Sequence, residues 1–347
     1  MNKIAVVLFN LGGPDSLRAV WPFLFNLFND RAVIALPQPW RAALAAFIAT
    51  KRGNTARMIY RRLGGGTPLV ANTEVQARAL EKELGPEHRV FIAMRHWHPR
   101  SAAAAAAIKA WGADEIVLLP LYPQFSTTTT RSSLAEWRHV AAAAGLAQPA
   151  RALCCYPAET GFIAALAAEI RRALSQAPAG SHPRVLFSAH GLPEKIIAGG
   201  DPYQWQVEHT AAALRAALDL PDLDSVVCYQ SRVGPLAWLG PATDAEIRRA
   251  GAERRPLIVV PVAFVSEHSE TLVELDMDYR DVAAAAGVPS YVRVATVGAA
   301  PDFIAGLASL VRRARRNEAA GPAPASGRRL CPQNFAGCAC GTGGSAA

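Results

Sequence analysis

Residues 184–193 read Arg184-Val185-Leu186-Phe187 and then, without a break, Ser188-Ala189-His190-Gly191-Leu192-Pro193. The first part is continuously apolar after its arginine, which is how a strand covered on both faces reads. The second part is polar and turn-forming. The same pairing recurs along the chain. Residues 4–9 run into Asn10-Leu11-Gly12-Gly13-Pro14-Asp15, and residues 90–94 into Arg95-His96-Trp97-His98-Pro99. Residues 115–120 lead to Tyr122-Pro123-Gln124-Phe125-Ser126 and four threonines, and residues 225–229 to Gln230-Ser231-Arg232. Residues 256–262 lead to Ala263-Phe264-Val265-Ser266-Glu267-His268-Ser269-Glu270. Runs at 151–155 and 291–294 complete eight predicted strands.

Alanine-, leucine- and arginine-rich stretches that read as helices lie between these runs, for example 102–111, 160–174, 210–218 and 301–315. Strand–helix alternation predicts parallel sheets flanked by helices. The expected fold is α/β, with two similar Rossmann-like halves of four strands each. The loop-like stretch 176–181 divides them. The first half spans 1–176 with a partly helical insertion at about 29–66, the second spans 177–316, and 317–347 is a tail with no core of its own. In such sheets ligands bind beyond the carboxyl ends of the strands. Six polar strand ends on one side predict a single large cleft between the halves.

The chain has 347 residues, of which 51% are hydrophobic and 18% charged. That suits two folded domains at roughly 100–200 residues each. The net charge of +8 favours an anionic partner: nucleic acid, an acidic membrane surface or a substrate with carboxylates. No basic stretch is interleaved with aromatics, so a nucleic-acid role is not expected. The longest apolar run, 42–49, is far short of the ~20 residues of a spanning helix, and residues 4–9 are too short for a signal peptide's apolar region. A cytoplasmic protein is expected, peripheral at most on the inner face of the cytoplasmic membrane. Gly64-Gly65-Gly66 lacks the preceding strand and following Gly-Lys-Ser/Thr of a phosphate loop, so no nucleotide is expected.

Three segments are specific: FSAHGLPEKIIAGGDPY at 187–203, CYQSRVGPLAWLGP at 228–241 and PVAFVSEHSETLVELD at 261–276. With NLGGPD, GGGTPL and LPLYPQFSTTTT, they make the chain resemble the ferrochelatases over nearly its whole length. The resemblance implies a porphyrin cleft and insertion of Fe²⁺, as substrate, into protoporphyrin IX to form protohaem: a lyase of the ferrochelatase class. A chelatase for cobalt or coproporphyrin is the near alternative, and a tetrapyrrole carrier that binds without reacting is the distant one. The carrier leaves His190 and Glu270 without a purpose.

Metallating a porphyrin requires an acceptor for two pyrrole protons. His190 can accept one because imidazole titrates near neutrality, and the resemblance makes it the base and an iron contact. Glu270, Glu274 and Asp278 share one stripe of a helix predicted over 267–286. The resemblance puts Glu270 opposite His190 as the second catalytic and iron-contacting group, with Glu274 a turn further out. Asp278 reads as a solvated residue, and Glu267 and His268 flank the row. Leu11, Arg95, His96, Ser126, Ser188 and Trp238 stand where the family places porphyrin or propionate contacts. Phe23, Phe25 and Phe28 read either as a greasy lip at a membrane surface or as core. The chain departs from the family pattern at His96, where a tyrosine is common, and at Arg131, where a glycine is.

Cys331, Cys338 and Cys340 are spaced C-x6-C-x-C in the tail. Zinc sites usually show C-x2-C knuckles instead. The arrangement resembles that of ferrochelatases carrying a 2Fe–2S cluster, whose fourth thiolate would come from Cys155 or Cys154. As neighbours on an extended chain, these two are expected to point to opposite faces. Cys228, within a strand, reads as a small buried hydrophobe.

Overall fold

The computed structural model describes residues 2–178, 180–232, 234–316 and 321–340. It contains two four-stranded, wholly parallel sheets. The first is built from β1 (Ile4–Asn10), β2 (His88–Met94), β3 (Glu115–Pro120) and β4 (Ala150–Ala152), in the order β2-β1-β3-β4. The second is built from β5 (Arg184–His190), β6 (Ser225–Gln230), β7 (Leu257–Pro261) and β8 (Tyr291–Arg293), in the order β6-β5-β7-β8. The two orders are the same, so the architectural repeat expected from the strand count is real.

Helices cover the faces of the sheets, which is why the strands read as apolar runs rather than alternating ones. All seven residues of β1 are buried, and in β5 only the last, His190, is not. Around the first sheet the core joins Val7, Phe9 and Leu118 to Ile108 and Leu134, with Trp137 edge-on to Phe9 at 5.8 Å. Around the second it joins Leu186, Cys228 and Val259 to Ile247 and Leu275. In this strand order the chain reverses direction across the sheet between the first strand and the third, and that crevice is where such folds bind ligands. The corresponding positions here are β1/β3 and β5/β7.

The described residues form two compact units: 2–155 with 307–316, 321–330 and 339–340, and 156–306 with 331–338. The change therefore falls after Cys155 rather than at 176–181. Helix Thr160–Ser175 belongs with the second sheet because Phe162 packs on Phe303 at 6.0 Å and Thr210 Oγ1 donates to Pro157 O at 2.7 Å. The described part of the tail is docked rather than loose. In the first unit Ala323 continues the ladder past β4, with its N–H on Ala152 O and its carbonyl accepting from Cys154 N. In the second unit Gly337 N donates to Gly200 O, and Gln206 Nε2 donates to Cys331 Sγ at 3.1 Å. The rest of the expected tail, 317–320 and 341–347, lies outside the described residues.

Candidate active site

β5 runs three residues further than its apolar stretch predicts and ends on His190 itself. The next residue, Gly191, lies so close to β6 that a Cβ there would sit 2.8 Å from Gln230 O, and its N–H donates to that oxygen. A side chain at 191 would therefore push His190 away from the strand beside it. Trp238 comes to the same place: it forms a bridge with Pro193, and its ring lies against Gly191.

His190 Nδ1 is 2.8 Å from Glu270 Oε2. The two residues come from β5 and from the segment after β7, so they meet at the switch point of the second sheet. Ser231, at the end of β6, takes up φ +59°, a left-handed conformation uncommon for serine. That turn aims its N–H at Glu274 Oε1 (2.8 Å) and its hydroxyl at Glu274 Oε2, with Glu270 Oε2 at 3.3 Å from the same oxygen. Tyr279 OH also donates to Glu274 Oε1, at 3.0 Å. On the other side His268 Nε2 stands 3.9 Å from Glu270 Oε1, its ring against Phe264.

The carboxylates lie on a π-helix, Glu270–Asp278, continued by the α-helix Tyr279–Ala285. The α-helix expected over 267–286 thus starts three residues later, at Glu270, and differs in winding: the Tyr279 N–H reaches the Glu274 carbonyl five residues back. Such wide turns are rare and cluster at functional sites. Asp278 is exposed, as expected.

These contacts set the proton affinities. Burial alone would push Glu270 up, but the His190 charge and hydrogen bond, followed by His268 and Ser231, bring it down to about 2. Burial works against a charged His190, yet Glu270 and then Glu274 hold its imidazole above the ordinary value. Glu274 is raised by burial and by the Glu270 charge, against the pull of the Ser231 bonds. Burial lowers His268. The site therefore holds an ionised carboxylate, a histidine with increased proton affinity and a second carboxylate that takes a proton more readily than usual.

The family model for ferrochelatase matches residues 3–315. The chain belongs to the ferrochelatase family. The ferrochelatases of Caulobacter vibrioides and Phenylobacterium zucineum are each 51% identical to it, covering 99% of this chain and 99% and 100% of theirs. That of Rickettsia bellii is 44% identical over 98% of this chain and 95% of its own. Among solved structures, the fold is that of the cobalt-bound sirohydrochlorin chelatase SirB of Bacillus subtilis subspecies spizizenii, with TM-score 0.55, 10% identity, and 91% and 97% of the two chains covered.

Against the family's site, the sequence-predicted residues divide. His190, Glu270, Glu274, His268 and Trp238 come together. Ser188 does not reach the open edge: β5 runs on past it, and it is fully buried with its hydroxyl bonded to Gln230 Oε1 and Thr243 Oγ1. In the first unit Leu11 is half-buried at the end of β1. Gly12 beside it takes φ +84° with Trp97 N 2.9 Å from where a Cβ would be, so only glycine fits. Arg95 was expected to pair a substrate carboxylate, yet its guanidinium is already engaged. Nη2 meets Asp30 Oδ2 at 2.9 Å, Nη1 meets Glu136 Oε1 at 3.2 Å, and Nε donates to Ser132 Oγ at 2.7 Å. His96 is 1% exposed, and burial followed by the Arg95 charge brings it to about 3, so it is neutral. Ser126 is buried, its hydroxyl 2.9 Å from that of Thr128, and Arg131 lies over the Phe125 ring.

Phe23 is core, packed with Val20, Leu24, Ala49 and Tyr60, while Phe25 and Phe28 are half-buried against that cluster. The most exposed apolar residues of this region are Trp40 (70% exposed), Phe47 (59%) and Met58 on helix Trp40–Arg62, with Trp21, Val33, Leu36 and Leu44 exposed to a smaller degree. No helix among the described residues is long and apolar enough to cross a membrane.

All six cysteines are buried. Cys228 lies inside β6, and burial pushes its thiol up to about 12. Cys154 and Cys155 do not point apart: they lie beyond the end of β4 at Ala152, and the two sulfurs are 3.3 Å from each other. Among the described residues no three His, Cys, Asp or Glu side chains are gathered so as to hold a metal ion. The thiols have the chemistry that an iron–sulfur cluster requires.

Proposed function

We propose that this chain inserts Fe²⁺ into protoporphyrin IX, with release of two protons and formation of protohaem, at the carboxyl end of β5. The observation that carries this reading is the 2.8 Å contact of His190 with Glu270, backed by the Ser231 bridge to Glu274. Porphyrin metallation needs an acceptor beside the ring and an exit for the proton. Nδ1 of His190 faces Glu270, which leaves Nε2 to accept from a pyrrole N–H. Glu270 stabilises the imidazolium so formed. Glu274 shares Ser231 with Glu270 and has the higher proton affinity of the two, so it receives the proton next. Trp238 supplies an apolar wall for the macrocycle.

Anaerobic mixing with Fe²⁺ and either protoporphyrin or coproporphyrin, followed by the visible absorption bands, tests the proposal. Metallation with the larger kcat/KM for protoporphyrin is expected. A preference for coproporphyrin overturns the substrate assignment, and no metallation of either overturns the reaction.

Two finer readings belong to the same proposal. The first is a 2Fe–2S cluster on Cys331, Cys338, Cys340 and either Cys155 or Cys154, supported by the thiol count, the spacing and the burial. No catalytic step depends on it. The second is peripheral attachment to the inner face of the cytoplasmic membrane. Trp40, Leu44 and Phe47 recur at helical spacing beside Arg41, Lys51 and Arg52, an apolar stripe with a basic margin.

A further inference from the structure

We propose that Arg293, the last residue of β8, is a positioning residue for the reaction: it bridges Glu267 and Asp276 and thereby sets the winding of the π-helix that presents Glu270 and Glu274. The side chain is 9% exposed. Its Nη1 donates to Glu267 Oε1 and its Nη2 to Asp276 Oδ2, both at 2.6 Å. These are charge-assisted bonds at the short end of their range. Glu267 stands three residues before Glu270, and Asp276 two residues after Glu274, so one planar guanidinium brackets both reacting carboxylates. Each anchor has further ties. Glu267 Oε1 accepts from Thr296 N at 2.9 Å, and Asp276 Oδ1 lies 3.4 Å from Arg280 Nη2.

A π winding is rare and seldom longer than a single turn, so a nine-residue one profits from an external tie. Each residue that a wide turn takes up in excess of an α turn rotates the downstream residues by roughly 100° about the axis. Relaxation between residues 270 and 276 would therefore swing Glu274 away from Ser231 and shift Glu270 from His190. Arg293 prevents this by fixing the separation of the two flanking carboxylates. Lysine cannot replace it, because an ammonium is a point charge without the two-pronged fork. None of this requires Arg293 to touch substrate.

The inference rests on the metallation proposed above, so its test has one arm that needs no turnover. Arg293→Lys is compared with the unaltered protein for kcat and KM in metallation, for porphyrin affinity by tryptophan quenching, for thermal midpoint, and for amide hydrogen exchange over residues 270–279. Expected are a fall in kcat of about tenfold or more, unchanged KM and porphyrin affinity, and faster exchange confined to 270–279. Normal kcat with unchanged exchange overturns the proposal. A loss of kcat that tracks a lowered midpoint and faster exchange across β5 and β7 also overturns it, because Arg293 would then be a general stabiliser. Should Arg293→Lys not fold, Asp276→Asn, which removes one arm and leaves the Glu267 bond, is read in the same way. If the unaltered protein metallates nothing, the reaction assignment fails while the exchange arm still decides the role of Arg293.

Discussion

Replacing Glu270 by glutamine keeps the size of the side chain and removes its charge. Glu270 titrates at about 2, where a free carboxyl sits near 4.5. That difference corresponds to about 3 kcal/mol. Its partner ring is 38% exposed, so solvent screening reduces the share available to catalysis to about 2–3 kcal/mol. At 1.36 kcal/mol per factor of ten, loss of that support for the imidazolium predicts a kcat lower by roughly thirty- to a hundred-and-fiftyfold. The pH profile carries a second signature. His190 must be neutral to accept a proton, so the rate rises with pH through its raised pKa. Without Glu270 that pKa falls, and the acid limb moves to lower pH. Stability follows by linkage. The depressed Glu270 contributes above about 4.5 and its contribution is lost as pH falls toward about 2, whereas the raised His190 contributes below about 6.5 and its contribution is lost as pH rises through the folded value. Both describe one interaction and count once. Anaerobic stopped-flow metallation from pH 5 to 9 measures rate and limb together. A loss under tenfold with an unmoved acid limb would refute the pairing as the source of activity.

His190→Ala should abolish metallation while porphyrin affinity by tryptophan quenching stays within about threefold, since binding comes from burying the ring. Turnover near normal would remove His190 as the base. Trp40→Ser with Phe47→Ser should lower binding to anionic liposomes at least tenfold, and binding of the unaltered protein should weaken as salt rises. Equal binding by both proteins in a sedimentation assay would mean that helix Trp40–Arg62 is not the contact. The purified protein should be reddish-brown with visible bands bleached by dithionite, and Cys338→Ser should be colourless. A colourless unaltered protein that contains zinc and no acid-labile sulfide would eliminate the cluster and leave the metallation proposal intact.

The eight strands, their parallel pairing and the position of His190 at a strand end were legible in the chain itself. Burial on both faces requires continuous apolar runs, and a parallel sheet leaves its polar residues at the carboxyl edge. The family was legible for a related reason: the segments around His190, Trp238 and Glu270 are long and contiguous. The features that the sequence could not supply depend on distances between separate elements. Periodicity placed Glu270 and Glu274 on one stripe but could not show the π winding, because the extra residue per turn is imposed by Arg293 across nine residues and by Ser231 from another strand. Ser231 gave no signal, since serine is not the residue that usually marks a left-handed turn. Arg95 looked available to a substrate because its partners, Asp30 and Glu136, lie 65 and 41 positions away. Cys154 and Cys155 were expected to diverge as strand neighbours, and only the folded chain shows their sulfurs 3.3 Å apart. Local composition thus determined the elements and their ends. Only the folded chain decided which charges neutralise one another, because Coulomb and hydrogen-bond energies depend on separations of a few ångströms that linear order does not contain.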